Sequence, residues 1–317
     1  MITGHAGRYG SRLDSNRFAG DRLNLDIRAG AGRFVRLVLF VVAAAVAIAG
    51  SQHPAFAATA GAPPASVYVF RPIGGKFVSA DMDDLAAKIA ARGLEVQVFN
   101  YTAWMRPAKD AVRRYQGEAV KTPIIALGYS AGGDSAIRFA LALKRSGVPV
   151  DLIITLDPTR IANRVPGNVG RFINIYASNH TLGGGDPAPA KDFQGHFAAV
   201  DLKNYPQNWH LVMPRMTGLQ DRIVAKIADA AAESPAAGGP SIPIEYTMPR
   251  DTPLELWDSG VAVVAAAGDT AAKVAAQFGV PAWVVAEINK CEPDSPFPAG
   301  RRLVVPVHIG AAPPPGN

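Results

Sequence analysis

Ile124-Ile125-Ala126-Leu127-Gly128-Tyr129-Ser130-Ala131-Gly132-Gly133 reads as a buried apolar strand that breaks into a G-x-S-x-G turn and runs on as a helix. Side chains at Gly128 and Gly132 would collide as the strand reverses into the helix. The tight turn places Ser130 in a strained backbone conformation and lifts its hydroxyl clear of the sheet. In that context Ser130 is a candidate nucleophile; the plainer alternative is a structural strand-to-helix turn.

Outward from this turn the chain repeats a strand-helix rhythm. Residues 67–70, 94–99, 123–129, 151–156 and 172–177 are apolar strands, and 81–92, 107–118, 133–146 and 219–232 are helices. Met82, Leu85 and Ile89 share one face of the first helix, and Ile223, Ile227 and Ala230 one face of the last. Near-continuous apolar strands separated by helices predict an α/β fold over residues 67–232, with a mostly parallel sheet covered on both faces.

A serine nucleophile needs a base, an acid to orient that base, and N–H donors for the oxyanion. On this topology the order along the chain is Ser, then Asp or Glu, then His. His210, in Asn208-Trp209-His210-Leu211-Val212 just before the last helix, is the first choice of base, with His196 and then His180 behind it. His308 lies in the C-terminal segment, away from this chemistry. Asp157 ends a strand at the edge where Ser130 emerges, which makes it the candidate acid. It could instead cap the turn before Pro158, and Asp186 and Asp192 are fallbacks. The oxyanion donors are expected from Ala131 N–H and from the loop Arg71-Pro72-Ile73-Gly74-Gly75-Lys76, where Gly74 and Gly75 let backbone approach substrate or merely form a turn.

The GYSAGG elbow, the strand-end LDPT, the NWH before the last helix and the RPIGG loop resemble compact lipase- or thioesterase-like members of the α/β-hydrolase superfamily. The resemblance implies Ser130, Asp157 and His210 as a triad, with Ala131, Gly74 and Gly75 at the oxyanion. It implies no cofactor, and no His/Cys/carboxylate cluster has metal-ligand spacing.

Residues 233–243 (ESPAAGGPSIP) form a Pro/Gly/Ala/Ser linker to a separate domain over 244–310. Its core, 262–307, reads as strand, two helices and strand. Val263-Val264-Ala265-Ala266-Ala267-Gly268-Asp269-Thr270, then Phe278-Gly279-Val280, Ile288-Asn289 and Ala299-Gly300-Arg301-Arg302-Leu303-Val304-Val305-Pro306 resemble a LysM module. That resemblance implies binding of N-acetylglucosamine-containing glycans such as peptidoglycan, through Gly268, Asp269, Thr270, Asn289 and Lys290. Asp269 or Thr270 could equally cap the helix at Ala271.

The chain has 317 residues, 49% hydrophobic and 18% charged, with a net charge of +6. Residues 1–57 hold seven arginines against three aspartates, and the remaining 25 basic and 23 acidic residues nearly cancel. With no basic stripe interleaved with aromatics, nucleic acid is not an expected partner. Arg33 and Arg36, an apolar run over 37–49 and Ala55-Phe56-Ala57 form an export signal with cleavage expected after Ala57. The run is shorter than the roughly 20 residues of a membrane span, so the membrane is a partner only if the leader stays uncleaved. Residues 58–66 are a small-residue tether and 311–317 a flexible tail. The lone Cys291 excludes an internal disulfide.

Together these readings predict an exported, periplasmic or wall-associated serine hydrolase of small esters or thioesters, held on peptidoglycan. The alternative is a non-catalytic, peptidoglycan-binding envelope protein with a degenerate hydrolase domain.

Overall fold

The computed structural model describes residues 65–206, 209–233 and 241–309. The export signal, all but the end of the tether, the middle of the linker and the tail lie outside the described residues. Among the described residues no helix is long and apolar enough to cross a membrane.

Seven strands form one sheet: β1 (Ser66–Arg71), β2 (Glu95–Asn100), β3 (Ile124–Tyr129), β4 (Leu152–Leu156), β5 (Arg171–Tyr176), β6 (His196–Asp201) and β7 (Ile244–Thr247). Their order is β2-β1-β3-β4-β5-β6-β7, and every pairing is parallel. The helices are α1 (Asp81–Ala90), α2 (Met105–Gly117), α3 (Ala131–Lys144) and α4 (Thr217–Ala232). Alternate strand residues feed two cores. Val67, Val69, Ile125 and Leu127 pack with Met82, Leu85, Ile89 and Ile223, on the face carrying α1 and α4. Tyr68, Phe70, Ile124 and Ala126 pack with Ala108, Ile137, Phe139 and Leu143, on the face carrying α2 and α3. A period of two sorting residues between two dry faces is what a parallel sheet covered on both sides requires.

The chain leaves β1 toward β2, then returns to place β3 on the other side of β1. Strand order therefore reverses between β1 and β3, and the crevice outside their carboxyl ends is the position where open α/β sheets bind ligands. Ser130 and the loop carrying Gly74 both emerge there.

Beyond the sheet, β8 (Ser259–Val264) and β9 (Arg302–Val307) pair antiparallel, with α5 (Ala271–Phe278) and α6 (Ala282–Asn289) between them. The predicted domain boundary at 244 is not where the structure divides. β7 lies past the linker yet completes the large sheet, and Ile242 and Gly260 exchange backbone hydrogen bonds of 2.8 and 2.7 Å. Trp257, 1% exposed, packs edge-on to Tyr246 of β7 with ring centroids 5.2 Å apart. Burying one tryptophan removes about 150–250 Å² from water, about 4–6 kcal/mol at about 25 cal/mol/Å². The Lys226 ammonium of α4 meets the Asp258 carboxylate at 2.8 Å, with side chains 8% and 0% exposed. Among the described residues the C-terminal unit is thus joined to the sheet through a buried seam.

Candidate active site

The elbow is built from steric necessity. A Cβ on Gly128 would stand 2.1 Å from the Gly132 carbonyl oxygen, and one on Gly132 would stand 2.1 Å from that of Phe70. No side chain fits at either position, so helix α3 can start against β1 and β3. Ser130 is left at φ 54°, ψ −128°, a conformation that non-glycine residues hold only under strain. Its N–H donates to the Leu156 carbonyl at 2.8 Å, which ties the turn to the end of β4.

Asp157 follows directly on β4 at φ 44° and is wholly buried. Its Oδ1 accepts from the N–H groups of Ala177 at 3.2 Å and Gly184 at 2.7 Å. His210 Nδ1 lies 2.5 Å from Oδ2, and His210 Nε2 lies 3.2 Å from Ser130 Oγ. The Tyr129 hydroxyl donates to the His210 carbonyl at 2.6 Å, so the strand before the serine also holds the loop that carries the base. Burial alone would raise the Asp157 carboxyl; the hydrogen bonds from His210, His180 and Gly184 outweigh it and hold the group below its ordinary value. Asp134, in the first turn of α3, accepts from Thr159 N–H at 3.1 Å and from its hydroxyl at 2.6 Å, fixing the turn after Asp157 to the serine's helix.

The three residues proposed for the reacting set are therefore brought together. The fallbacks are not. Asp192 pairs with Lys144 at the surface, and Asp186 accepts from Asn174 Nδ2 at 3.0 Å. His196 opens β6 and shares a 2.7 Å hydrogen bond with Ser259, which makes it a seam residue; burial and then Arg171 push it below the usual histidine value. A cavity of about 310 Å³ lies beside it at the amino-terminal edge of the sheet, lined by Asp151, Asn168, Arg171 and Glu233. That is the edge away from Ser130.

Of the expected oxyanion donors, Ala131 is the first residue of α3, where an N–H has no intrahelical acceptor. Gly75 departs from the expectation: its N–H donates to the Pro72 carbonyl at 3.0 Å and closes a turn. Gly74, at φ 83°, is the remaining glycine of that loop.

His180, ranked last as a base, also reaches Asp157 Oδ2, at 2.5 Å through Nδ1. Asp157, His180 and His210 form the one group among the described residues with three ligand atoms within 4.8 Å of one another. Two atoms bound to a common tetrahedral ion at 2.0–2.1 Å stand about 3.3 Å apart. Both contacts are shorter than that, so the group is drawn together as hydrogen-bonded pairs.

In the C-terminal unit, Asn289 does a structural job. Its amide donates to the Val285 and Val304 carbonyls, both at 2.7 Å, and accepts from Val304 N–H at 2.8 Å, clamping α6 to β9. Thr270 caps α5 by accepting from Lys273 N–H at 3.1 Å, and Asp269 accepts from Ala266 N–H at 2.8 Å and pairs with Lys273. Gly268 carries a left-handed φ of 80° at this turn. Lys290 has an ammonium-bearing side chain 74% exposed and beside Glu287.

No protein-family model and no curated protein matches this chain. Among solved structures, the esterase domain of a Rhodothermus marinus protein is similar over 42% of this chain and 77% of its own, at 12% identity and TM-score 0.29. A protein named as a candidate hydrolase of the alpha/beta superfamily, from Xanthomonas campestris pv. campestris, is similar over 53% and 96%, at 14% identity and TM-score 0.32. Likenesses at that level carry no argument for activity, which rests on the geometry above.

Proposed function

We propose that this chain is an exported serine hydrolase that cleaves carboxylic esters or thioesters through an acyl-enzyme. The observation that carries the reading is the strained Ser130 with its hydroxyl 3.2 Å from His210 Nε2, behind which Asp157 holds Nδ1 at 2.5 Å. Ser130 Oγ attacks the carbonyl carbon as its proton passes to His210 Nε2. The oxyanion forms beside Ala131 N–H and an N–H of the loop at Gly74. Collapse breaks the bond to the alcohol or thiol, which leaves with the proton from His210. Water then repeats the sequence and releases the acid.

An apolar acyl group suits the surroundings. Ile73, Phe77, Ile161, Leu182, Trp209 and Leu211 are all exposed, on loops that follow β1, β4, β5 and β6 at the edge carrying Ser130. Six large apolar side chains on one edge are more than scattered surface residues need explain. Incubation of the mature protein with a fluorophosphonate probe tests the chemistry: labelling is expected and should vanish in Ser130→Ala. Labelling that survives the substitution, or none at all, rules the reading out. Release of muropeptides without turnover of p-nitrophenyl esters would point instead to amide hydrolysis.

The C-terminal unit is proposed as a LysM-type module that holds the enzyme on peptidoglycan, with Lys290, Thr270, Asp269 and Gly268 at the glycan edge. Tethering raises the local concentration at the envelope, so even weak glycan contacts count. Because β7 lies beyond Glu233, deletion of the C-terminal segment would also strip the sheet of its edge strand; the appropriate test is peptidoglycan pull-down with Lys290→Ala and Thr270→Val. Export is tested by the mature amino terminus, expected at Ala58 in periplasmic material.

A further inference from the structure

One carboxylate oxygen serves two imidazoles. Asp157 Oδ1 is occupied by the N–H groups of Ala177 and Gly184, at 3.2 and 2.7 Å. Oδ2 therefore takes both rings, His210 Nδ1 and His180 Nδ1, each at 2.5 Å, with ring centroids 6.0 Å apart and planes at 86°. The second ring is held there by its own loop. His180 N–H donates to the Ala177 carbonyl at 2.9 Å, and the Arg160 guanidinium donates to the carbonyls of Ser178 and His180 at 2.9 and 3.0 Å. A Cβ on Gly183 would stand 2.3 Å from Asp157 Oδ2 and 2.7 Å from His210 Nδ1, so the loop closes on the pair only with glycine there. The His180 side chain is 10% exposed, and its Nε2 is buried without a partner. Asp157 is thus the side-chain group through which His180 can act.

We propose that His180 is a positioning residue that shares Asp157 with His210, weakens the carboxylate's hold on the protonated His210 ring, and so keeps the Ser130 hydrolase working into mildly acidic conditions. Its functional part rests on the proposed reading of Ser130, His210 and Asp157; its electrostatic part rests on the geometry alone. A carboxylate stabilises the imidazolium form of a ring beside it, and a second donor on the same oxygen draws off part of that negative charge. The charged and titratable groups that these contacts bring to His180 are Asp157, His210 and Arg160. A positive charge on either ring opposes one on the other, in the same direction as the shared hydrogen bond.

His180→Phe fills the space without a donor, and His180→Asn can set an amide N–H where Nδ1 stood. On a soluble p-nitrophenyl ester, His180→Phe should move the acid limb of the kcat/KM profile upward by about 0.5–1 pH unit. Activity at pH 5.5 then falls roughly 3–10-fold while the alkaline plateau changes less than about threefold. His180→Asn should return the limb toward that of the unsubstituted protein. A limb that does not move, with only the plateau lowered, makes His180 merely structural and overturns the proposal, as does an asparagine variant shifted as far as phenylalanine. Proton NMR titration of the His210 ring in the same proteins needs no turnover. An unchanged midpoint there refutes the proposal even if the protein proves to be no hydrolase, whereas a raised midpoint without ester turnover upholds the sharing and removes the hydrolase reading. Should His180→Phe lose its near-ultraviolet circular dichroism, His180→Ala serves with the same expected shift.

Discussion

Asp157 and Asp258 are both sealed from water, at 0% and 1% exposure, yet they are put to different uses. Asp258 Oδ2 takes the Lys226 ammonium at 2.8 Å and Ile309 N–H at 2.9 Å, with His308 Nδ1 3.1 Å from the same ammonium. The two contacts of the ammonium join α4 to the C-terminal unit, and Ile309 N–H ties the end of that unit back to the same carboxylate. Asp157 instead faces rings with two nitrogens apiece, and the far nitrogen of His210 reaches a serine hydroxyl at the sheet edge. A buried carboxylate opposite a fixed ammonium holds parts together; opposite an imidazole it starts a proton route.

The largest expected effect breaks the first member of that pair. Asp157→Asn should lower kcat on a p-nitrophenyl ester by about 10⁴-fold, because the amide no longer stabilises the imidazolium or fixes its tautomer. Asp258→Asn should leave the activity of the folded protein within about twofold. Comparable losses in both variants would erase the distinction drawn between the two carboxylates.

Next in size is the seam. Lys226→Met leaves Asp258 buried and unpaired, which costs about 3–5 kcal/mol, whereas Lys226→Met with Asp258→Leu should recover most of that. Urea midpoints measure both. A double variant no more stable than the single one would mean that packing, not charge, decides this seam.

A smaller contrast lies within the C-terminal unit. Asn289→Ala removes the two hydrogen bonds of the α6–β9 clamp and one within α6, and should cost about 1–3 kcal/mol of stability. Lys290→Ala, on an exposed side chain, should leave stability within about 0.5 kcal/mol yet weaken pull-down on peptidoglycan. Neighbouring residues thereby separate clamp from contact.

The sequence made the elbow legible because its signals are local: an apolar run, two obligatory glycines, then helix. Asp157 and His210 followed from chain order at strand ends and before the last helix. What stayed hidden depends on partners distant in the chain. β6, His196-Phe197-Ala198-Ala199-Val200-Asp201, has polar ends and two alanines, and only its place between β5 and β7 buries it. β7, Ile244–Thr247, alternates buried and exposed residues as an edge strand does, and it follows a Pro/Gly stretch that reads as a domain boundary. His180 sits in a loop of Asn, Thr and Gly with no periodic signal; its role needs the Asp157 carboxylate, 23 residues earlier, in space. Asn289 matched a family pattern, yet its own amide is spent on the backbone of β9.

The smallest expected effect separates Asp157 from a third buried carboxylate, Asp134, which is 6% exposed. Burial raises the Asp134 carboxyl, and its hydrogen bonds from Thr159 offset this only in part. A group raised on folding adds stability below its unfolded value, about 3.9, and loses it as pH climbs through the folded value. Asp157 is lowered, so its contribution is present above about 3.9 and lost as pH falls through its folded value. Asp134→Asn keeps an acceptor for Thr159 N–H and removes the desolvated charge, though it also removes a favourable negative charge at the start of α3. The stability of the variant relative to the unsubstituted protein should therefore rise between pH 4 and pH 7, by less than about 1 kcal/mol. Urea unfolding at the two pH values measures it, and a variant that loses ground at pH 7 would show that the helix start outweighs the burial of Asp134.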